Sequence, residues 1–187
     1  MRTQGAVFLD RDGVINVSPK RRRYITRWGE FRFLPGTLSA LKKLRAARRP
    51  VILVSNQAGV GRGLFSKADL EEITRNMLRM IRSAGGRIDA VYYCTHTPER
   101  RCPCRKPRTG LLRKAARRFS LDLGRSIIVG DNATDIEMGQ HAGCRTALVL
   151  TGVTSRTAAK KLARPPDFIA RDLNGAIRWI MKAGKTA

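Results

Sequence analysis

Short continuous apolar runs alternate with amphipathic stretches along this chain, and the alternation predicts its elements. Val7 to Leu9 reads as a strand, and Pro35-Gly36-Thr37 opens a helix with Leu38, Leu41 and Leu44 on one stripe, closing near Arg49-Pro50. Val51 to Val54 is apolar throughout, as a strand covered on both faces should be. Ser66 and Asp69 frame a helix start, Leu70, Ile73, Met77, Met80 and Ile81 form its buried side, and Gly85-Gly86 stops it. Ile88 to Tyr93 follows as a strand. Thr109 is the expected cap of a basic helix to Phe119, with Leu112, Ala115, Ala116 and Phe119 as its apolar side. Ile127 to Val129 is a strand, Ile136 to Ala142 a short helix ending at Gly143, and Ala147 to Leu150 a further strand. Phe168-Ile169 is a candidate edge strand, and Leu173 to Met181 a closing helix. Strand–helix alternation of this kind implies an α/β fold with a central parallel sheet and right-handed crossovers.

The polar residues that interrupt this pattern gather at expected strand ends, where parallel sheets bind ligands. Asp10 and Asp12 follow the first strand, Ser55-Asn56-Gln57 the second, Cys94 the third and Asp131 the fourth. Acidic residues are scarce, 14 against 38 Lys and Arg, so two pairs of them at two strand ends carry information. Carboxylates so close together repel unless a cation lies among them, and oxygen donors suit Mg²⁺. An Asp can form a turn or cap a helix, but that accounts poorly for both sites in one chain. Asp10 can serve as nucleophile and Mg²⁺ ligand, and Asp12 as general acid and then base. Asp131 would complete the protein's share of the metal shell, with Asp135 orienting it from outside. Ser55 offers a hydroxyl and Lys106 an ammonium to a phosphoryl group.

A second cluster holds three of the four cysteines and one of two histidines: Cys94, His96, Cys102 and Cys104. Three thiolates and an imidazole make a closed tetrahedral Zn²⁺ set with no place left for water, hence a structural site. A disulfide is the competing reading, which a reducing compartment disfavours. Arg105 and Lys106 follow at once, so the knot would fix Lys106 near the phosphoryl site and Arg105 near the rest of the substrate. Cys144 reads as core, and His141 as surface or packing.

The 187 residues fit one domain spanning 1–187. No run of about 18 apolar residues exists to cross a membrane. The chain enters a strand almost at once with no apolar leader, so a cytoplasmic location is the default expectation. The formal charge of +24 is spread along the chain, with clusters such as Lys20 to Arg23, and aromatic residues are only 6%. Nucleic-acid binding prefers one basic face with interleaved aromatics, so such a partner is not expected. A monomer acting on a small phosphorylated sugar is.

FLDRDGVIN, VSNQAGVGRG, CRKP and VGDNATD, taken in order, resemble the four motifs of the haloacid dehalogenase (HAD) superfamily of phosphatases. The resemblance covers residues 6 to about 152. It implies a three-layer Rossmann-like fold, capless, with attack by Asp10 and acid/base work by Asp12. It also implies phosphoryl contacts from Ser55 and Lys106, and Mg²⁺ held by Asp10, Asp131 and the Asp12 backbone carbonyl. The zinc loop, with the segments Tyr24 to Gly36 and Asn56 to Gly63, is similar to the heptose 1,7-bisphosphate 7-phosphatase group and the related histidinol-phosphatase domain. That likeness places Asn56, Gln57, Arg105 and Asn132 at the substrate. Asn132 departs from the lysine of some heptose phosphatases and is at least as close to the histidinol branch. The activity expected is removal of the 7-phosphate of D-glycero-D-manno-heptose 1,7-bisphosphate. Histidinol phosphate, and a polynucleotide 3′-phosphate, are the alternative substrates.

Overall fold

The computed structural model describes residues 4–19 and 24–183, so the basic run Lys20 to Arg23 lies outside the described residues. Six strands form one parallel sheet: β1 (Val7–Leu9), β2 (Val51–Asn56), β3 (Ala90–Cys94), β4 (Ile127–Gly130), β5 (Arg145–Val149) and β6 (Phe168–Ala170). Their spatial order is β3-β2-β1-β4-β5-β6, with Val7, Phe8 and Leu9 paired to Val51, Ile52 and Leu53 on one side and to Ile127, Ile128 and Val129 on the other. The chain winds outward from β1 through β2 and β3, then returns to lay β4 on the opposite flank. The β1/β4 junction is therefore the switch point where the loops above the strands diverge and leave a crevice.

The helices are α1 (Thr37–Ala46), α2 (Ala58–Gly61), α3 (Lys67–Ser83), α4 (Gly110–Phe119), α5 (Ala133–His141), α6 (Arg156–Lys160) and α7 (Leu173–Ala183). Because side chains alternate along a strand, Val7 and Leu9 face one layer and Phe8 the other. On the first face, Leu41 and Leu44 of α1, Ile73, Met77 and Ile81 of α3, and Ile177 and Ile180 of α7 cover Val7, Leu9, Leu53 and Val129. On the second, Leu111, Leu112 and Ala115 of α4 and Met138 of α5 cover Phe8, Ile52, Val54 and Ile128. A smaller group, Ile136, Leu148 and Ala159, packs α6 to the sheet. The three-layer α/β arrangement expected from the sequence is present. Among the described residues, the link from β1 to α1 contains one 3-10 turn (Trp28–Glu30) as its only helix, and no helix is long and apolar enough to cross a membrane.

Boundaries differ from the sequence reading where side chains replace backbone partners. The third strand starts at Ala90 and not Ile88, because the Asp89 carboxylate accepts the Val51 N–H at 2.8 Å and pairs with Arg87. Helix α5 starts three residues early: Asn132 Oδ1 accepts the Thr134 N–H, while Asp135 Oδ2 accepts that of Asn132, both at 3.1 Å. Ser66 and Asp69 cap α3 reciprocally as expected. Thr109 does not cap α4; its hydroxyl accepts from Arg113 Nε at 3.0 Å instead. The short α2 and α6 carry no usable periodicity and were not expected.

Leu41 is fully buried between α1 and the sheet. Leu41→Ala should lower unfolding free energy by about 2–5 kcal/mol in denaturant titration, whereas Leu64→Ala, at a position 55% exposed, should change it by less than about 0.5 kcal/mol.

Candidate active site and metal clusters

A cavity of about 280 Å³ opens above the β1/β4 junction, lined by Asp10, Asp12, Ser18, Ser55, Asn56, Arg105, Lys106, Asp131, Asn132, Thr134, Asp135 and Val153. Ten residues of the sequence reading concern this site, and all but Gln57 line it. Asp10 leaves β1 with its N–H on the Val129 carbonyl at 3.0 Å, which ties the ends of β1 and β4 together. Asp131, just past β4, is held by the Val153 N–H on Oδ2 at 2.9 Å and by the Thr154 N–H on its carbonyl at 3.1 Å. Gly13 sits against it in a left-handed conformation (φ 82°), where any Cβ would run into the Asp131 carboxylate.

Oxygens of Asp10, Asp131 and Asp135 lie within 4.8 Å of one another. Asp135, expected outside the metal shell, thus belongs to the same cluster. Lys106 Nζ, buried, donates to Asp10 Oδ1 at 2.8 Å and to Asp135 Oδ1 at 2.6 Å. Burial alone would lower its pKa, but these two carboxylates hold it above the ordinary lysine value. One ammonium leaves two of the three carboxylate charges uncompensated. Burial, then Asp10 and Asp135, accordingly push the Asp131 carboxyl up to about 8. Burial and Asp10 raise Asp135 to about 6 although Lys106 opposes the shift. Hard oxygen donors with two unbalanced negative charges fit a divalent cation such as Mg²⁺. The Asp12 carbonyl, a further expected donor, accepts no hydrogen bond among the described residues.

The Asp12 carboxylate points elsewhere, to Arg11, Asn16 and Gln57. Gln57, expected at the substrate, is fully buried, and its amide is used on Asp12, Arg11 and Ser55. Asn56 Oδ1 accepts the Lys106 N–H at 3.2 Å, fastening the lysine loop to the end of β2. Ser18, Thr134 and Val153 are wall residues the sequence reading did not name. Thr134 and Val153 flank Asp131 at three and 22 positions; only the fold brings Val153 there.

Cys94, His96, Cys102 and Cys104 come together beside this loop. Their sulfurs stand 3.2–3.5 Å apart, and His96 Nδ1 lies 3.4 Å from Cys104 Sγ. The three cysteines are free thiols, and the spacing approaches the edge of a tetrahedron with Zn–S bonds of about 2.3 Å. Burial pushes the Cys94 thiol up to about 12. Burial works in the same direction on Cys102, but hydrogen bonds from Cys104, Cys94 and His96 overcome it and bring that thiol down to about 6. Soft donors sharing protons at this spacing fit zinc. Cys144 is buried in the second core layer, as expected.

A HAD-hydrolase-like family model matches residues 103–176. The chain is 39% identical over 188 residues to a D-glycero-D-manno-heptose-1,7-bisphosphate 7-phosphatase of Thermosynechococcus vestitus, covering 94% of each chain. It is 40% identical over 154 residues to the D-glycero-beta-D-manno-heptose-1,7-bisphosphate 7-phosphatase of Bordetella bronchiseptica, covering 82% of this chain and 85% of that protein. A solved structure of D,D-heptose 1,7-bisphosphate phosphatase from B. bronchiseptica, complexed with magnesium and phosphate, superposes with a TM-score of 0.90 at 35% identity over 96% of this chain and 99% of that one. With a clustered acidic site and a Cys₃His knot on the same sheet, this chain belongs to the D-glycero-D-manno-heptose-1,7-bisphosphate 7-phosphatase family of HAD-like phosphatases.

Proposed function

We propose that this chain is a Mg²⁺-dependent phosphatase that removes the 7-phosphate of D-glycero-D-manno-heptose 1,7-bisphosphate through Asp10. We further propose that residues 1–187 act as one domain, since all six strands join one sheet, and as a cytoplasmic monomer. The observation that carries the reading is the grouping of Asp10, Asp131 and Asp135 around Lys106 at the β1/β4 junction. Lys106 engages only Oδ1 of Asp10, and Oδ2 has no hydrogen bond among the described residues. That oxygen attacks the phosphorus, Asp12 delivers a proton to the departing sugar oxygen, and Asp12 then takes a proton from the water that hydrolyses the aspartyl phosphate. Ser55 and Lys106 hold the transferring oxygens, and Asn132 and Arg105, both in the cavity wall, meet the rest of the substrate. When bound, the divalent cation supplies positive charge at the phosphoryl oxygens. A bisphosphate also profits from the basic surroundings: residues 100–121 contain nine Arg and Lys and no acidic residue.

Asp10→Asn should lower kcat by more than about 10⁴-fold while leaving the melting temperature within a few degrees. In a phosphate-release panel with Mg²⁺, both anomers of the heptose bisphosphate should exceed histidinol phosphate, fructose bisphosphate and a 3′-phosphorylated oligonucleotide in kcat/KM by at least about tenfold. A preference of that size for histidinol phosphate or the oligonucleotide would overturn the substrate assignment.

The zinc knot should act through Lys106, two residues beyond Cys104. Cys102→Ser should abolish stoichiometric zinc in metal analysis, lower the melting temperature, and reduce turnover with it. Unchanged melting in zinc-free protein would remove this role.

Protein dialysed free of Mg²⁺ but retaining zinc should show the cost of the acidic cluster. Between the ordinary carboxylate range and about pH 8 the native state holds a proton on Asp131 that the unfolded chain has lost. Stability therefore falls as pH rises through that window. Differential scanning calorimetry should record a falling melting temperature from about pH 5 to about pH 8, and a gain on adding Mg²⁺ that grows over the same interval.

A further inference from the structure

Arg11 stands between the two strand-end aspartates, and the phosphoryl transfer just described gives it no part. Its side chain is fully buried, where a guanidinium needs partners; Nη1 has none among the described residues, and Nε and Nη2 make all its hydrogen bonds. Nε donates to Asp12 Oδ1 at 3.3 Å, and Nη2 reaches Asp12 Oδ1 at 3.1 Å, Asp12 Oδ2 at 3.0 Å and Gln57 Oε1 at 3.0 Å. Gln57 Nε2 in turn donates to Asp12 Oδ2 at 2.9 Å and to Ser55 Oγ at 3.2 Å. Asn16 Nδ2 completes the set on Asp12 Oδ1 at 2.9 Å. The Tyr93 ring lies 5.9 Å from the Arg11 Cζ, and the Tyr93 hydroxyl is 2.9 Å from Thr74 Oγ1. Strand β3 and helix α3 thereby close the guanidinium off from solvent.

This side chain is not what folds the loop. The turn after β1 is closed by the Ile15 N–H on the Arg11 carbonyl and the Gly13 N–H on the Asn16 carbonyl, both at 2.8 Å, and is held by the Thr151 hydroxyl, which donates to the Gly13 carbonyl at 2.6 Å. The side-chain network is directed at a single carboxylate, that of Asp12, and continues through Gln57 to the hydroxyl of Ser55. It touches neither Asp10, Asp131 nor Asp135.

We propose that Arg11 is a positioning residue for proton transfer by Asp12, working with Gln57. The fork fixes the plane of the carboxylate at the cavity edge, and Gln57 ties that plane to the hydroxyl that holds the phosphoryl group. The inference rests on the reading of Asp12 as acid and base. In the first step the bond from phosphorus to the sugar oxygen breaks, and its electron pair stays on that oxygen. The Asp12 proton goes to the same atom as Asp10 Oδ2 bonds to phosphorus. In the second, water oxygen bonds to phosphorus, Asp12 takes the water proton, and the bond to Asp10 breaks with its electron pair returning to the carboxylate. Arg11 remains protonated throughout and sets only where the proton is delivered.

Leaving-group chemistry separates this role from a structural one. A sugar alkoxide needs a proton as it departs; para-nitrophenolate does not. With enzyme in excess and Mg²⁺ present, single-turnover release of the leaving group is measured for the heptose bisphosphate and for para-nitrophenyl phosphate. Arg11→Gln should slow sugar release by roughly ten- to a hundredfold and nitrophenolate release by less than about threefold. Arg11→Lys, which keeps the charge without the fork, should recover only part of the loss. Combined with Asp12→Asn, Arg11→Gln should add no further loss on the sugar substrate. Gln57→Met, which removes no charge, tests the same clamp should Arg11→Gln fail to fold, and should show the same contrast between the two esters. Equal losses on both esters, or full additivity with Asp12→Asn, would overturn the proposal. If Asp12→Asn itself slows both esters alike, the acid/base reading of Asp12 fails first and the positioning role goes with it.

Discussion

Three carboxylates brought within 4.8 Å of one another in a buried place are the constraint around which the rest of this structure is arranged. Their mutual repulsion is large where water is scarce, and a fold that assembles them must fix each one firmly. Each is accordingly tied into the scaffold by a second task. Asp10 joins β1 to β4 through its N–H, Asp131 anchors the chain at Val153 and Thr154, and Asp135 caps its own helix. Glycines press on the group from several sides: a Cβ at Gly13 or Gly152 would meet Asp131, and one at Gly130 would meet Asp135. The acidic site is thus packed like a core, with the one difference that its charge balance calls for a divalent cation.

Lys106 is the protein's own contribution to that balance, and its delivery explains the second metal cluster. The segment from Thr95 to Thr109 contains a single 3-10 turn, Pro98–Arg100, and a non-glycine residue, Arg101, at φ 43°. Such a segment buries little apolar surface of its own, so backbone order has to come from elsewhere. The Cys₃His cluster ties its two ends to β3, and Asn56 takes the Lys106 N–H at the far side. A buried ammonium aimed at two carboxylates requires that degree of restraint, because a displaced lysine would expose the cluster's full charge.

The sequence made the chemistry more legible than the geometry. Carboxylates after apolar runs, and cysteines spaced around a histidine, are local patterns that survive translation into structure almost unchanged. Strand limits were less legible, since Asp89 substitutes a side chain for a ladder partner at the start of β3, and no periodicity announces that. Short helices such as α2 and α6 lack the length for a stripe. The direction of Gln57 was illegible for a related reason: residues beside it, Ser55 and Asn56, do face the cavity or its loop, and proximity in sequence says nothing of which way a buried amide turns. Arg11 was invisible because a charged residue at a strand end reads as solvated until the fold covers it with Tyr93 and Thr74. Val153 reaches the cavity only because β5 lies beside β4.

Asp12 shows why two aspartates one residue apart can hold different duties. Had its carboxylate joined the cluster, four negative groups would have shared one lysine and one divalent ion, and none could exchange protons freely. The turn at Gly13 and the buried guanidinium of Arg11 instead draw it to the opposite side, where Arg11, Asn16 and Gln57 supply its donors. Asp10 is left beside Lys106 and the two other carboxylates, and Asp12 in a setting governed by hydrogen-bond direction. On the function proposed above, that separation of environments within a single tight turn suits Asp10 to attack on phosphorus and Asp12 to management of the leaving group.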